Sequence, residues 1–238
     1  MDQYDRATQL VPAAAVLAPL SVLVVVTVRT DDLTSVIRSV VGILAAAGFH
    51  VVAMRLVRDR GNTVQERLWR SWGGSTTVAR LRWRDRPDTE VSRLHHRVQT
   101  TTGVRLPTRA QEQNDPAAAE EAYADAAGRL RETTRDHARF PRVWTELKQY
   151  GTARNLYGVK PAGLIVTAAV LATSIVMTTA SATETWKLDW WLPAIAGGAA
   201  LLTAFIWIAL ITPSFVRTAS ERYSDALLAT AVEPDTGD

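Results

Sequence analysis

PAGLIVTAAVLATSIVMTTASA, residues 161–182, contains no Asp, Glu, Lys, Arg or His. As a helix, rising about 1.5 Å per residue, it covers about 33 Å. That matches the ~30 Å hydrocarbon core of a bilayer. Three further stretches read the same way: Leu10–Val28, Val36–Leu56 and Trp190–Thr212. Two lie at each end of the chain, and a polar, arginine-rich insert separates the pairs. The sequence therefore predicts an all-α membrane protein, built as two transmembrane helical hairpins joined by a helical cytosolic domain.

The predicted boundaries follow. Residues 1–57 form the first hairpin, with spans at about 10–28 and 36–56. Residues 58–160 form the cytosolic helical domain. Residues 161–213 form the second hairpin, with spans at about 161–182 and 190–212, and residues 214–238 form a cytosolic tail. The first span has only Arg6 as a basic flank, and its apolar run is longer than a signal core. It is read as a retained anchor.

Whole-chain averages conceal this segregation, because 21% of the residues are charged and the mean hydropathy is near zero. Between Arg58 and Lys160 there are 20 Lys plus Arg against 13 Asp plus Glu, a local balance of +7. Basic residues flank the spans on one side: Arg55, Arg58, Arg60, Arg67 and Arg70 after the second, Lys148, Arg154 and Lys160 before the third, and Arg217 and Arg222 after the fourth. The short connections near Arg29 and Lys187 are poor in positive charge. The positive-inside rule then places both termini and the insert in the cytosol, in an inner (plasma) membrane. The chain has no cysteine, which excludes disulfides, thiolate metal sites and Cys nucleophiles.

Turn and cap signals divide the insert into helices. Gly73-Gly74 ends the one that continues from the second span. Ser75 or Thr76 caps a short helix through Trp83, and Asp88 opens another that stops at Gly103. Asp115-Pro116 begins a helix expected to reach about Arg139, with an acceptor at the N-cap and proline at N1. Pro141 starts the next, with Gly151 and Gly158 as expected interruptions before the third span.

Several groups are candidates for function. Gly42 with Ala46, Ala168 with Ala172, and Ala194 with Gly198 form small-x3-small pairs that suit close helix packing. Thr173 belongs to a hydroxyl-rich face of the third span, and His50 is the ionisable residue within the second; both are packing or pore-side candidates. Arg67, Arg70, Arg80, Arg82, Arg84, Arg86, Arg154 and Lys160 are candidate contacts for an anion or a lipid headgroup. Trp69, Trp72, Tyr150, Tyr157, Trp186, Trp190 and Trp191 are candidate membrane-interface aromatics. Acidic residues are missing from the span interiors, which argues against proton-coupled transport and a cation filter. His95 and His96 are adjacent, so on a helix they diverge by about 100° and make a poor metal pair. No catalytic residue, metal or cofactor is assigned.

Leu68-Trp69-x-x-Trp72-Gly73-Gly74-x-Thr76-Thr77, Leu106-Pro107-Thr108, Asp115-Pro116, Thr134-Arg135-Asp136 and Tyr150-Gly151-x-x-Arg154-Asn155 stand in an order that resembles small uncharacterised bacterial four-transmembrane-helix proteins. The two-hairpin plan is also similar in architecture to small membrane effectors of anti-phage systems. That resemblance implies a cytosolic part that senses a signal and spans that disrupt the membrane.

The expected function is a self-associating multi-pass inner-membrane protein. Its cytosolic domain would sense a ligand or partner and alter transmembrane packing, as in a pore-forming effector. The expected partners are the lipid bilayer, a second copy or another membrane protein, and a small anionic ligand; nucleic acid is not expected. The alternatives are an accessory or scaffolding subunit of a larger membrane complex, or a membrane-bound enzyme using His95, His96 or Asp136.

Overall fold

The computed structural model describes residues 3–27, 57–83, 86–183, 185 and 189–231. Every regular element among them is a helix. In chain order these are α1 (Gln3–Thr27), α2 (57–72), α3 (Thr76–Leu81), α4 (Asp88–Thr102), α5 (Arg109–Asn114), α6 (Pro116–Thr133), α7 (Pro141–Ala182), α8 (Trp191–Phe205) with a π-helical last turn (Ile206–Leu210), and α9 (Pro213–Leu228). Three helical segments are long and apolar enough to cross a membrane: Thr8–Thr27, Pro141–Ala182 and Trp191–Leu210. Membrane association is the reading they support. The expected second span, Val36–Leu56, lies outside the described residues, and the four-span hairpin arrangement is not shown.

The chain divides into two compact units. One comprises Met1–Gln65 and Gly151–Val216, the other Glu66–Tyr150 and Arg217–Asp238.

In the first unit α1 packs along α8. One apolar cluster joins Leu23, Val170, Ala196 and Ala200; another joins Ala13, Val57, Val159, Trp207 and Ile211. Lipid supplies little hydrophobic drive between helices, so close approach and hydrogen bonds carry the packing. Gly158 provides such an approach. A Cβ there would stand 2.9 Å from the backbone nitrogen of Gly61 and 3.1 Å from the Arg60 carbonyl oxygen. Gly163 faces the Trp207 ring, where a Cβ would come within 2.4 Å. Beside these contacts Asn155 donates through Nδ2 to the Thr8 carbonyl at 3.1 Å. Arg154 donates to Gln65 Oε1 at 2.6 Å.

These contacts explain why α7 does not break. Interruptions were expected at Gly151 and Gly158, yet the helix is continuous for 42 residues. At about 1.5 Å per residue it is about 63 Å long, twice the hydrocarbon thickness, so only its apolar second half suits a membrane interior. Gly158 and Gly163 serve close packing rather than bending. The last turn of α8 widens to a π-helix, and Lys160 donates to the Ile211 carbonyl at 2.8 Å.

In the second unit α6 packs against α3, α4 and α5. Ser75 caps α3 by accepting from the Val78 amide at 3.3 Å. The helix ends at Leu81, short of the expected Trp83. Gly103 closes α4 in the left-handed conformation (φ 72°), as the sequence implied. Asp115 and Pro116 begin α6 as expected, but α6 stops at Thr133 rather than near Arg139. The Thr134 hydroxyl donates back to the Leu130 carbonyl at 2.8 Å. Asp136 then accepts from the amides of Ala138 and Arg139, forming a turn that lets Pro141 open α7. Four hydroxyls fasten α9: Thr76 lies 2.7 Å from both Ser220 Oγ and Ser224 Oγ, and Thr77 lies 3.0 Å from Ser224 Oγ.

Candidate functional site

The second unit contains an open cleft of about 720 Å³. The end of α3 supplies Arg82 and Trp83, α5 supplies Arg109, Glu112 and Gln113, and the first turns of α6 supply Pro116, Ala117, Ala119, Glu120 and Tyr123. A reciprocal cap fixes the start of α5. The Gln111 amide donates to the Thr108 hydroxyl, and the Thr108 amide donates to Gln111 Oε1. Glu112 is the next residue in that turn.

Glu112 organises the floor. Its Oε2 accepts the Tyr123 hydroxyl at 2.6 Å and the Trp83 backbone amide at 3.1 Å. Trp83 also donates its indole N–H to the Pro107 carbonyl at 2.9 Å. Arg82 grips Glu120 with two bonds, Nε to Oε2 at 3.0 Å and Nη2 to Oε1 at 2.6 Å, and Nη2 also reaches the Gly73 carbonyl. The two-bond geometry gives a fixed guanidinium plane. Neither Arg82 Nη1 nor Glu112 Oε1 takes part in these bonds. Arg82 and Glu112 both line the cleft.

His95 sits behind this floor, 4% exposed. Its Nε2 lies 2.6 Å from the Leu81 carbonyl, which can only accept, so Nε2 carries the proton. The ring packs edge-on against Trp83 at 5.0 Å and tilted against Tyr123 at 5.7 Å. Burial lowers its pKa from the ordinary value of 6.5, against the opposing pull of the Leu81 hydrogen bond and the Glu112 charge. Burial, then the Glu112 hydrogen bond and charge, raise the Tyr123 pKa well above the usual range for a phenol. The neutral forms of both rings are held in place.

The arginine run from Arg80 to Arg86 divides among separate carboxylates. Arg80 pairs with Asp225, Arg82 with Glu120 and Arg86 with Glu90; Arg84 lies outside the described residues. Arg67 and Arg70 are exposed on α2, and Trp69 and Trp72 are half-buried beside them. Tyr150 is buried and stacked parallel to Tyr223, while Tyr157 is half-buried against the cluster around Trp207. Trp190 and Trp191 are exposed; Trp186, Gly42, Ala46 and His50 lie outside the described residues. Of the small-residue candidates, Ala168, Ala172, Thr173 and Gly198 are exposed and Ala194 is half-buried. Gly163, Ala196, Gly197 and Ala200, on the same two helices, are buried instead.

His95, His96 and Asp136 do not converge. His95 is in the core, His96 is exposed, and Asp136 is spent on its turn. No group of three His, Cys, Asp or Glu among the described residues is placed to hold a metal ion. Sequence reading missed Glu112, Glu120 and Tyr123, the residues that build the cleft. Nothing in their spacing forms a motif, and only folding brings α5 and α6 against the end of α3. No family model, curated protein or solved structure matches this chain.

Proposed function

We propose that this chain is a membrane-anchored ligand receptor. Its polar helical unit takes a small molecule carrying both an acidic or carbonyl acceptor and a donor group. Its apolar helices anchor it in the inner membrane and associate with further copies, and ligand occupancy changes how those helices pack. The observation that carries the reading is the 720 Å³ cleft lined by Arg82 and Glu112. Preformed pockets with a few convergent polar groups are where small ligands bind. The bidentate Arg82–Glu120 pair and the Tyr123–Glu112 bond hold those groups rigid before a ligand arrives, which lowers the ordering cost of binding. The exposed small residues Ala168 and Ala172 on α7 and Gly198 on α8 suit self-association. The basic flanks around the insert support its cytosolic placement.

Native mass measurement of the full chain, purified in mild detergent, tests this reading. The expected result is a homo-oligomer that carries a small-molecule adduct. Ala117→Trp projects a large ring into the cleft from an exposed wall position, so it removes the adduct and leaves the fold. An adduct retained unchanged by Ala117→Trp, or a bare monomer in both proteins, would refute the proposal. A foreign subunit at fixed ratio would replace it with the scaffolding reading.

A further inference from the structure

A second cavity in the polar unit, of about 230 Å³, shares no lining residue with the cleft. Its wall carries three guanidinium groups, Arg80, Arg86 and Arg97, and two carboxylates, Glu90 and Asp225. Both carboxylates are engaged: Asp225 with Arg80 at 3.1 Å, and Glu90 with Arg86, which lies just before α4. Arg86 also donates through Nη1 to the Arg80 carbonyl at 3.1 Å, tying these two arginines into one wall.

Arg97 stands apart. It enters no ion pair among the described residues, and its Nε is closed off from solvent with no acceptor in reach. A buried donor without a partner is unfavourable, and a charged one more so. The cavity therefore has one positive charge in surplus and one guanidinium with an unused donor edge. Arg97 lines the cavity, so an anion entering it would meet a guanidinium that no carboxylate neutralises.

We infer that this cavity is a binding site for a phosphomonoester, with Arg97 as the residue that grips it. A tetrahedral phosphate offers three oxygens to the guanidinium groups that line the cavity, where a carboxylate offers two. Leu94, Leu228 and Ala229 complete the lining with alkyl surface, which suits the carbon side of an ester. The same chemistry is presented by a soluble phosphate ester and by the headgroup of phosphatidic acid. The inference does not depend on occupancy of the cleft.

The test uses the full chain in mild detergent. Glycerol 3-phosphate is titrated by calorimetry, and in parallel the chain is placed in nanodiscs with or without phosphatidic acid and its retained lipid is weighed by native mass spectrometry. One saturable site is expected for at least one probe. Saturation by glycerol 3-phosphate identifies a soluble ester as the source; retention of phosphatidic acid alone identifies the lipid. Arg97→Gln should weaken binding by about tenfold or more, and Arg97→Lys, which keeps the charge but loses the fork, by less. Binding should also weaken as salt rises. If neither probe saturates, or if Arg97→Gln binds as wild type does, the inference fails. A second readout needs no variant: the bound probe should slow phenylglyoxal modification of Arg97 but not of exposed Arg67 and Arg70. Equal slowing at all three, or none at Arg97, would likewise overturn it.

Discussion

Gly158→Ala should destabilise the apolar unit although alanine is the better helix former. Alanine gains about 0.5–1 kcal/mol over glycine inside a helix. Against this, the new Cβ would lie 2.9 Å from the Gly61 nitrogen and 3.0 Å from the Arg60 carbonyl carbon. These are backbone atoms and cannot rotate aside as a side chain can. Relief requires α2 and α7 to part by about half an ångström, the kind of overpacking that costs about 1–3 kcal/mol. The separation also strains the neighbouring Arg154–Gln65 hydrogen bond, whose length is 2.6 Å. The net expectation is a loss of about 0.5–2 kcal/mol, or a few degrees of Tm for a chain of this length. The control is Gly128→Ala in α6, where nothing lies within 4 Å of the added carbon; it should gain stability. Thermal melts in one detergent, with hydrogen exchange read on peptides from 57–65, would separate the two. Faster exchange there is expected for Gly158→Ala only. If Gly158→Ala melts at or above Gly128→Ala with unchanged exchange, the close crossing of α2 and α7 is refuted.

Two further outcomes follow from the polar unit. Burial lowers the His95 pKa, so below the ordinary unfolded value of about 6.5 the unfolded chain binds the proton more tightly and stability falls as pH drops. Burial and Glu112 raise the Tyr123 pKa, so stability should also fall as pH rises past about 10, where an unfolded tyrosine ionises. Melts across pH should show a plateau between these limits, and His95→Gln should flatten the acidic flank; an unchanged flank would count against the neutral, buried His95. Thr76→Val keeps the shape but deletes the hydroxyl shared by Ser220 and Ser224. It should cost about 1–3 kcal/mol, and a denaturant midpoint equal to wild type would show that the cluster does not hold α9.

The local signals in the sequence were those whose physics is local. A proline at N1 after Asp115, a serine before Thr76 and a glycine after Thr102 each act within one helical turn, and each marks a boundary in the structure. The apolar runs were legible for the same reason, because crossing hydrocarbon sets a length that one segment meets alone. Errors arose where a tertiary contact decided the outcome. Gly151 and Gly158 look like breaks in isolation, yet α7 runs through both, because at Gly158 the missing side chain admits the backbone of Arg60 and Gly61. The end of α6 was misplaced for a local reason instead: the Asp136 carboxylate accepts from the Ala138 and Arg139 amides, a turn that competes with helix.

The site was less legible than the fold, and charge explains why. The run Arg80–Arg86 reads as one basic patch, but a helix and a turn aim successive side chains in different directions. Arg80 goes to Asp225, Arg82 to Glu120 and Arg86 to Glu90, so the apparent patch is largely neutralised by acids far apart in the chain. The surplus positive charge comes instead from Arg97, which sits in no run and was not singled out. Counting residues in a window finds where charge is concentrated; it does not find where charge is left without a partner. An electrostatic site depends on the second quantity. In this chain the densest arginine cluster and the arginine most in need of an anion are therefore different residues of one polar unit.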